Sequence, residues 1–328
     1  ASLLPAAEAT GSCEIRPGCM VFDIPLARAG HARGARYLDA EGREREVQAD
    51  VVVVAASAIE SARLLLLSRS GRFPGGLGHQ NGQVGKNLCF STLTKLEGFI
   101  PKARLSPARQ AELMATAPFV GRAVQDFLHL EPEGETFGKG GTFHLLWAHP
   151  NPIYAAEKLI MDGDRLVWGG ELMEKMHRRF TEGRMLEVEG FSEWLPTPGC
   201  GVDLDPHARD RWGFPAARIT VARHPSDRAA SARLAREARR LLAAVGAEAI
   251  ETHEVGGETW VLQTGTCRMG EDPKTSVVDP RGRVHGVPNV YVSDGAALPT
   301  SGAVPCTETI LANALRIGEQ LARTGANP

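Results

Sequence analysis

Residues 263–322 read QTGTCRMGEDPKTSVVDPRGRVHGVPNVYVSDGAALPTSGAVPCTETILANALRIGEQLA. The stretch combines a glycine-rich turn, a polar loop, a short strand over 289–293 that ends in Asp294-Gly295, and a helix predicted from Thr307 to Ala322. A strand whose carboxyl end meets a helix amino terminus is a natural site for an anion or cofactor, because unpaired N–H groups and the helix dipole point there. Many αβ proteins share this pattern, so it predicts a ligand site without naming the ligand.

The first part of the chain has the pattern of strands followed by one helix. Residues 34–38 and 44–48 flank a turn and predict a β-hairpin. The β-branched run over 50–57 shows no alternation, which predicts a strand buried on both faces of a parallel sheet. Ser57 is expected to cap the helix that follows, over 58–68.

The middle of the chain is less regular. The alternating stretch from Met185 to Trp194 predicts a strand with one buried face, and residues 227–245 predict an amphipathic helix. Three parts are therefore expected: 1–95, 96–256 and 257–328. The predicted fold is an α/β unit with a parallel sheet, formed by the first and third parts, plus an α+β unit built on an antiparallel sheet.

Composition excludes several classes of function. A net charge of −2 leaves no basic surface for nucleic acid, and the longest apolar run is far shorter than a bilayer requires. The start of the chain lacks the pattern of a secretory signal. The six cysteines form no CxxC pair and no Cys/His cluster with zinc spacing, so no metal site is expected and most should be small buried hydrophobes.

The order of the motifs resembles that of the glucose–methanol–choline (GMC) family of FAD oxidoreductases, in its gluconate-dehydrogenase-like branch. The resemblance extends along nearly the whole chain. The matching segments are GTCRMG at 265–270, SVVDP at 276–280, NVYV at 289–292, Asp294-Gly295, FSEWLP at 191–196, DRWGFP at 210–215, VGKNL at 84–88, and AASAIESARLLLLS at 55–68, where Ala62 replaces a usual proline.

The resemblance implies FAD as cofactor and an alcohol or sugar as substrate. It implies that Val21 lies beside the adenine, that Asp294 binds ribityl hydroxyls and that the N–H of Thr307 points at the flavin O2 edge. A plain N-cap role for Thr307 is the equal alternative. The full set of implied cofactor contacts is Val21, Ala55, Ser57, Asp294, Gly295, Pro305 and Thr307.

One departure from the family concerns its GxGxxG fingerprint, which holds the FAD pyrophosphate. The closest sequence here, Gly75-Gly-Leu-Gly78 with Gly82, has the wrong spacing and no strand before it. The FAD-binding unit is therefore expected to be incomplete. A second polypeptide, separately encoded or produced by a nick, would carry the fingerprint, unless the sequence simply begins downstream of it. A cytoplasmic location is favoured, or a periplasmic one if that partner carries a signal.

The second departure concerns the proton-accepting residues. Leu262 and Pro305 occupy the positions where the family has a histidine and a second histidine or asparagine, and neither can accept a proton. Glu308 is a candidate replacement base, although a carboxylate in a first helical turn also simply complements the helix dipole. Three interpretations stay open: alcohol, sugar or polyol oxidation with a displaced base and an unnamed electron acceptor, another flavin chemistry, or a catalytically silent stabilising subunit.

Overall fold

The computed structural model describes residues 3–27, 29–115, 121–131, 138–148, 151–257 and 262–324. Its α-helices are α1 (Leu3–Glu8), α2 (Ser57–Leu67), α3 (Pro107–Ala115), α4 (Pro152–Leu159), α5 (Gly169–His177), α6 (Pro225–Ala244) and α7 (Thr307–Thr324). Its strands are β1 (Met20–Asp23), β2 (Gly34–Leu38), β3 (Glu44–Gln48), β4 (Val52–Val54), β5 (Thr92–Pro101), β6 (Arg122–Val124), β7 (Gly141–Trp147), β8 (Met161–Asp162), β9 (Arg165–Leu166), β10 (Gly183–Ser192), β11 (Gly201–Arg209), β12 (Pro215–Thr220), β13 (Glu248–Gly257) and β14 (Val290–Val292).

A five-stranded antiparallel sheet forms the middle of the chain, as the sequence predicted. Its strand order is β13-β5-β10-β7-β6. One face packs against α6, and the buried side chains of Leu96, Val188, Leu234 and Leu242 belong to the same core cluster. Because side chains alternate along a strand, the residues between these core positions lie on the opposite face of the sheet.

The short strand β4 pairs in parallel with β14, with Val53 opposite Tyr291. Val54 is buried in the core beside α2, but the side chain of Val53 is 45% exposed. Within the described residues the strand is therefore buried on one face only. Helix α2 covers one face, whereas no described element covers the face that carries Val53.

The predicted hairpin is confirmed, since β2 and β3 pair from Gly34 with Gln48 to Leu38 with Glu44. Strand β1 joins them to make a three-stranded antiparallel sheet. This small sheet packs beside α2, and the N–H of Ile24 donates to the hydroxyl of Ser68 just after the end of that helix (3.0 Å).

The larger hydrophobic core joins distant parts of the chain. It contains Val54, Leu65 and Val290 together with Trp194 and Val202, which the sequence pattern assigned to the middle part. Hairpin β11–β12 therefore packs against α2 rather than against the five-stranded sheet. The division at residues 95 and 256 stays a prediction.

The cysteines are all free thiols, and four of the six are buried, which agrees with their interpretation as small apolar residues. In the described ranges, His, Cys, Asp and Glu side chains form no group able to hold a metal ion. Nor is any helix in those ranges both long enough and apolar enough to cross a bilayer.

Asp227, in the first turn of α6, makes protein stability depend on pH. It is almost fully buried, and burial raises its pKa from 3.8 to about 6, against the opposing effects of the Leu195 N–H and the Arg223 charge. The folded protein thus binds this proton more tightly than the unfolded chain, so stability falls as pH rises from about 4 to about 6. Urea unfolding should show a loss of up to roughly 3 kcal/mol across this interval. In Asp227→Asn that loss should disappear, and an unchanged pH slope would contradict the assignment.

Candidate functional site

Three parts of the chain meet at one place. They are the strand end at Asp294-Gly295, the start of α7 and the segment that begins at Leu262. The thiol of Cys306 contacts the carbonyl oxygen of Leu262 (3.8 Å), and the N–H of Gly265 donates to the carbonyl of Gly295 (3.3 Å). A Cβ on Gly295 would lie 2.5 Å from the carbonyl oxygen of Gln263, so only glycine fits there. We call this meeting of Leu262, Asp294, Gly295, Pro305 and Cys306 the junction.

Asp294 connects the junction to α2. Its Oδ2 accepts from the N–H of Ser57 (2.9 Å) and from the hydroxyl of Ser61, and its Oδ1 accepts from the N–H of Ala296 (2.8 Å). Burial raises the pKa of this carboxyl group, while these hydrogen bonds oppose the rise. The Asp294 carboxylate thus supplies the cap at the start of α2.

The expectation that the Ser57 side chain caps α2 was wrong. The flanking residue is Ala56, whose side chain makes no capping bond, and its N–H donates to the hydroxyl of Ser61 (3.0 Å). Ser57 adopts a left-handed backbone conformation with φ of 73°. The charged carboxylate of Asp294, brought in by β14, is a stronger acceptor than a serine hydroxyl and takes the role instead.

Backbone strain is concentrated around the junction. Five described non-glycine residues have positive φ, and three of them are Ser57 (73°), Leu262 (56°) and Ala303 (59°). A left-handed conformation costs of order 1–3 kcal/mol in a residue such as leucine, and such strain is commonly found at ligand sites. The observation therefore marks the junction as a functional candidate independently of any sequence motif.

The predicted contact residues do not all lie together. Ala55 is exposed at the end of β4, Thr307 and Glu308 are exposed in the first turn of α7, and Pro305 is half-buried. Val21 lies in β1, and Ile24, just after that strand, binds Ser68 at the opposite end of α2 from the one that Asp294 caps. The roles of these residues toward a cofactor stay predictions.

Glu193 is a site residue that the sequence argument did not single out. Its buried Oε1 accepts from the hydroxyl of Ser301 (2.8 Å) and the N–H of Gly302 (3.0 Å), and its Oε2 pairs with Lys139. These contacts fasten the end of β10 to the loop that leads into α7. The only sequence signal was its place in FSEWLP at 191–196.

The residues around the junction suit one side of a flavin. The small side chains of Ala55 and Ala56 leave space at the end of β4, and both are exposed. The first turn of α7 presents N–H groups that no helical carbonyl can accept, and Gly295 allows close approach of the backbone. The described residues of this site include no glycine-rich turn that could hold a pyrophosphate.

Two models of the GMC oxidoreductase family match the chain. The amino-terminal model matches residues 1–92 and the carboxyl-terminal model matches residues 196–314. Together they span well over half of the sequence, and the second includes the whole junction.

Curated and solved proteins agree with the family models. A 2-methyl-1,2-propanediol dehydrogenase from Mycolicibacterium austroafricanum is 35% identical over 97% of this chain and 56% of its own length. A paromamine 6'-oxidase from Streptomyces fradiae is 35% identical over 94% of this chain and 52% of its own length. An FAD-dependent oxidoreductase from Chaetomium thermophilum shares the fold, with a TM-score of 0.59 at 16% identity over 98% of this chain and 63% of that one.

The chain spans about half the length of the curated relatives it matches. Within that half, the motifs, both family models and the fold agree. The chain belongs to the GMC oxidoreductase family of FAD-dependent oxidoreductases.

Proposed function

We propose that the complete protein oxidises a hydroxyl group of an alcohol, sugar or polyol. This chain would supply the substrate-facing sheet and one side of the flavin site. Bound FAD would take up the hydride from the substrate carbon. The relatives include both a dehydrogenase and an oxidase, so the electron acceptor is left unassigned.

The observation that carries this proposal is the attachment of the substrate-facing sheet to the junction. Glu193 follows directly after β10 and binds Ser301 and Gly302, which lie six and five residues before the start of α7. A substrate lying against the end of the sheet would therefore also reach the strained backbone around Leu262 and Ala303. Proximity of this kind is the main requirement for hydride transfer.

We also infer that a polypeptide outside the described residues covers β4 and α7. Parallel sheets are normally covered on both faces and rarely consist of two strands, yet β4 and β14 form a two-stranded parallel sheet. Val53 on β4 and Leu311 and Leu315 on α7 expose large apolar side chains. A segment or partner carrying the GxGxxG fingerprint would bury them and complete the cofactor site.

A silent stabilising subunit is the second candidate, and a specific observation favours it. By resemblance to the family, Leu262 and Pro305 occupy the positions of its acid–base pair, and neither side chain can accept a proton. Glu308 lies in the first turn of α7 with an exposed side chain, so it is placed either to accept a proton or merely to complement the helix dipole.

Anaerobic flavin reduction separates these candidates. The protein, purified with any polypeptide that accompanies it, is mixed with alcohols, sugars and polyols while the oxidised-flavin absorbance is followed. Bleaching by one of them supports oxidation. If Glu308 is the base, Glu308→Gln should slow bleaching roughly 10²–10⁴-fold.

Glu319→Gln is the matched control, because Glu319 is an exposed glutamate at the other end of the same helix. It should leave the bleaching rate unchanged. Equal rates in the wild type and Glu308→Gln would eliminate Glu308 as the base. Bound flavin that no substrate bleaches would reject the oxidoreductase proposal in favour of the silent subunit.

A further inference from the structure

Residues 299–305 join the turn at Gly295–Ala297 to the start of α7. In the described part of the chain, these residues form no backbone–backbone hydrogen bond. Regular secondary structure therefore does not fix their position, and side chains or packing must do so. We call residues 299–305 the entry segment.

A carboxylate from the antiparallel sheet holds the entry segment. Oε1 of Glu193 accepts from the hydroxyl of Ser301 (2.8 Å) and from the N–H of Gly302 (3.0 Å). The hydroxyl oxygen of Ser301 in turn accepts from the N–H of Trp194 (3.1 Å). Among the described residues these are the only hydrogen bonds of the entry segment, and all of them lead to Glu193 or to its neighbour.

The contact is buried, and the charge of Glu193 is balanced. Glu193 is 4% exposed and Ser301 is 1% exposed, so water does not readily replace their bond. Oε2 of Glu193 pairs with Nζ of Lys139, which stands two residues before β7. A buried carboxylate without a partner would be strongly destabilising. Lys139 therefore allows a charged acceptor, which is stronger than a neutral one, to hold the entry segment.

The entry segment is strained where Glu193 holds it. Gly302 and Ala303 have φ of 77° and 59°, and Ala303 is fully buried. Residues with a Cβ disfavour this left-handed conformation, and it persists only where surrounding contacts impose it. The N–H that donates to Glu193 belongs to Gly302, directly before Ala303. The carboxylate thus stabilises the turn that leads the chain into α7.

The strained turn lies close in sequence to the predicted flavin contacts. Pro305 and Thr307 follow Ala303 by two and four positions. So short a connection has little slack, because each residue extends the chain by at most about 3.6 Å. A displacement of the turn would therefore move Pro305 and the first turn of α7.

We propose that Glu193 is a positioning residue for the flavin side of the site. It acts from the end of β10 through Ser301 and Gly302, and it sets the place of Pro305 and of the first turn of α7. The effect on the flavin rests on the site described under the proposed function, whereas the hold on the entry segment does not.

Hydrogen exchange followed by mass spectrometry tests the hold, on the flavin-bound protein with any accompanying polypeptide. Glu193→Ala should raise amide exchange about tenfold or more in peptides covering the entry segment, and little in peptides from α2. Glu193→Gln keeps an acceptor oxygen, so it should restore most of the protection. Glu251→Ala, at an exposed glutamate on β13 of the same sheet, should change neither.

Ser301→Ala provides a second variant with a smaller change in structure. It removes one hydroxyl from the contact and leaves the bond between Glu193 and the N–H of Gly302. Exchange in the entry segment should rise in the same direction as in Glu193→Ala, but by less. Unchanged exchange in both alanine variants, or an equal rise in α2 and the entry segment, overturns the hold.

Flavin affinity tests the positioning role. The dissociation constant of FAD should rise about tenfold or more in Glu193→Ala, with Glu193→Gln between that variant and the wild type. If a substrate bleaches the flavin, Glu193→Ala should lower the maximal rate and change KM less than twofold, because the flavin side rather than the substrate is displaced.

The outcomes separate this role from the proposed oxidation. Weaker FAD binding in Glu193→Ala, restored in part by Glu193→Gln, supports positioning even where no alcohol, sugar or polyol bleaches the flavin, a result that would reject the oxidation alone. Raised exchange in the entry segment with unchanged FAD affinity overturns the positioning role.

Discussion

Replacing Arg63 with methionine is expected to lower the free energy of unfolding by about 3–5 kcal/mol. The Arg63 side chain, only 5% exposed, pairs with Asp210 (2.5 Å) and donates to the carbonyl oxygen of Pro215 (2.8 Å). Methionine preserves the apolar stem but removes the Arg63 donor from Oδ2 of Asp210 and from the carbonyl oxygen of Pro215. Urea unfolding followed by circular dichroism measures the loss.

The ion pair joins two motifs that are far apart in sequence. Arg63 lies in the second turn of α2, whereas Asp210 follows β11. Burial opposes the charged form of Asp210, yet hydrogen bonds from Arg63, Trp212 and Phe214 outweigh it and hold the pKa of Asp210 below its usual range. The pair therefore fixes hairpin β11–β12 on the helix that supports the junction.

Glu60 gives a matched control within the same cluster. It also contacts Arg63, but its side chain is 49% exposed, so Glu60→Gln should cost less than about 1 kcal/mol. A loss below about 1 kcal/mol in Arg63→Met, or equal losses in the two variants, would show that the buried pair does not anchor the hairpin.

Replacing Asp294 with alanine is expected to cost about 3 kcal/mol of unfolding free energy and to reduce flavin content. The hydroxyl of Ser61 and the N–H of Ala296 are fully buried and would lose their acceptor, at about 1–3 kcal/mol each. Ser57 is exposed, so its N–H can donate a hydrogen bond to water instead. The alanine variant no longer buries the Asp294 carboxylate, and this offsets part of the loss in unfolding free energy.

Asp294→Asn retains one acceptor oxygen and should fall between alanine and the wild type in both readouts. Asp272→Ala is the control, because Asp272 is an exposed turn residue that accepts from the N–H of Lys274 (2.9 Å); it should leave stability and flavin content almost unchanged. Normal stability and flavin content in Asp294→Ala would contradict both the capping role and the cofactor prediction.

Local patterns predicted the regular elements well. The hairpin at 34–48 and helix α7 begin where the sequence indicated, and β10 and α6 begin within two residues of their predicted starts. Hydrophobic periodicity and turn residues act over a few neighbours, so they can be read directly from the chain. The motif GTCRMG at 265–270 likewise placed the junction segment in the correct family.

Burial depended on contacts that local patterns do not encode. The run over Val52–Val54 looks equally apolar on both sides, yet only one side packs against α2. Glu193 and Lys95 look like ordinary surface charges in sequence, but Glu193 fastens the sheet to the loop before α7 and Lys95 pairs with Glu187 of the neighbouring strand (2.6 Å). Their surroundings come from strands far away along the chain.

Residue identity and short-range spacing indicated the family, the hairpin at 34–48 and the approximate starts of α2, β10, α6 and α7. The loss of an acid–base pair at Leu262 and Pro305 stays a prediction. Tertiary contacts were needed to show that Asp294 rather than Ser57 caps α2, that Arg63 holds hairpin β11–β12, and that Glu97 stands directly opposite Glu187 in the sheet. Hydrogen bonds and ion pairs depend on distances between atoms, and folding sets those distances between residues up to 257 positions apart, as between Ala32 and Asn289.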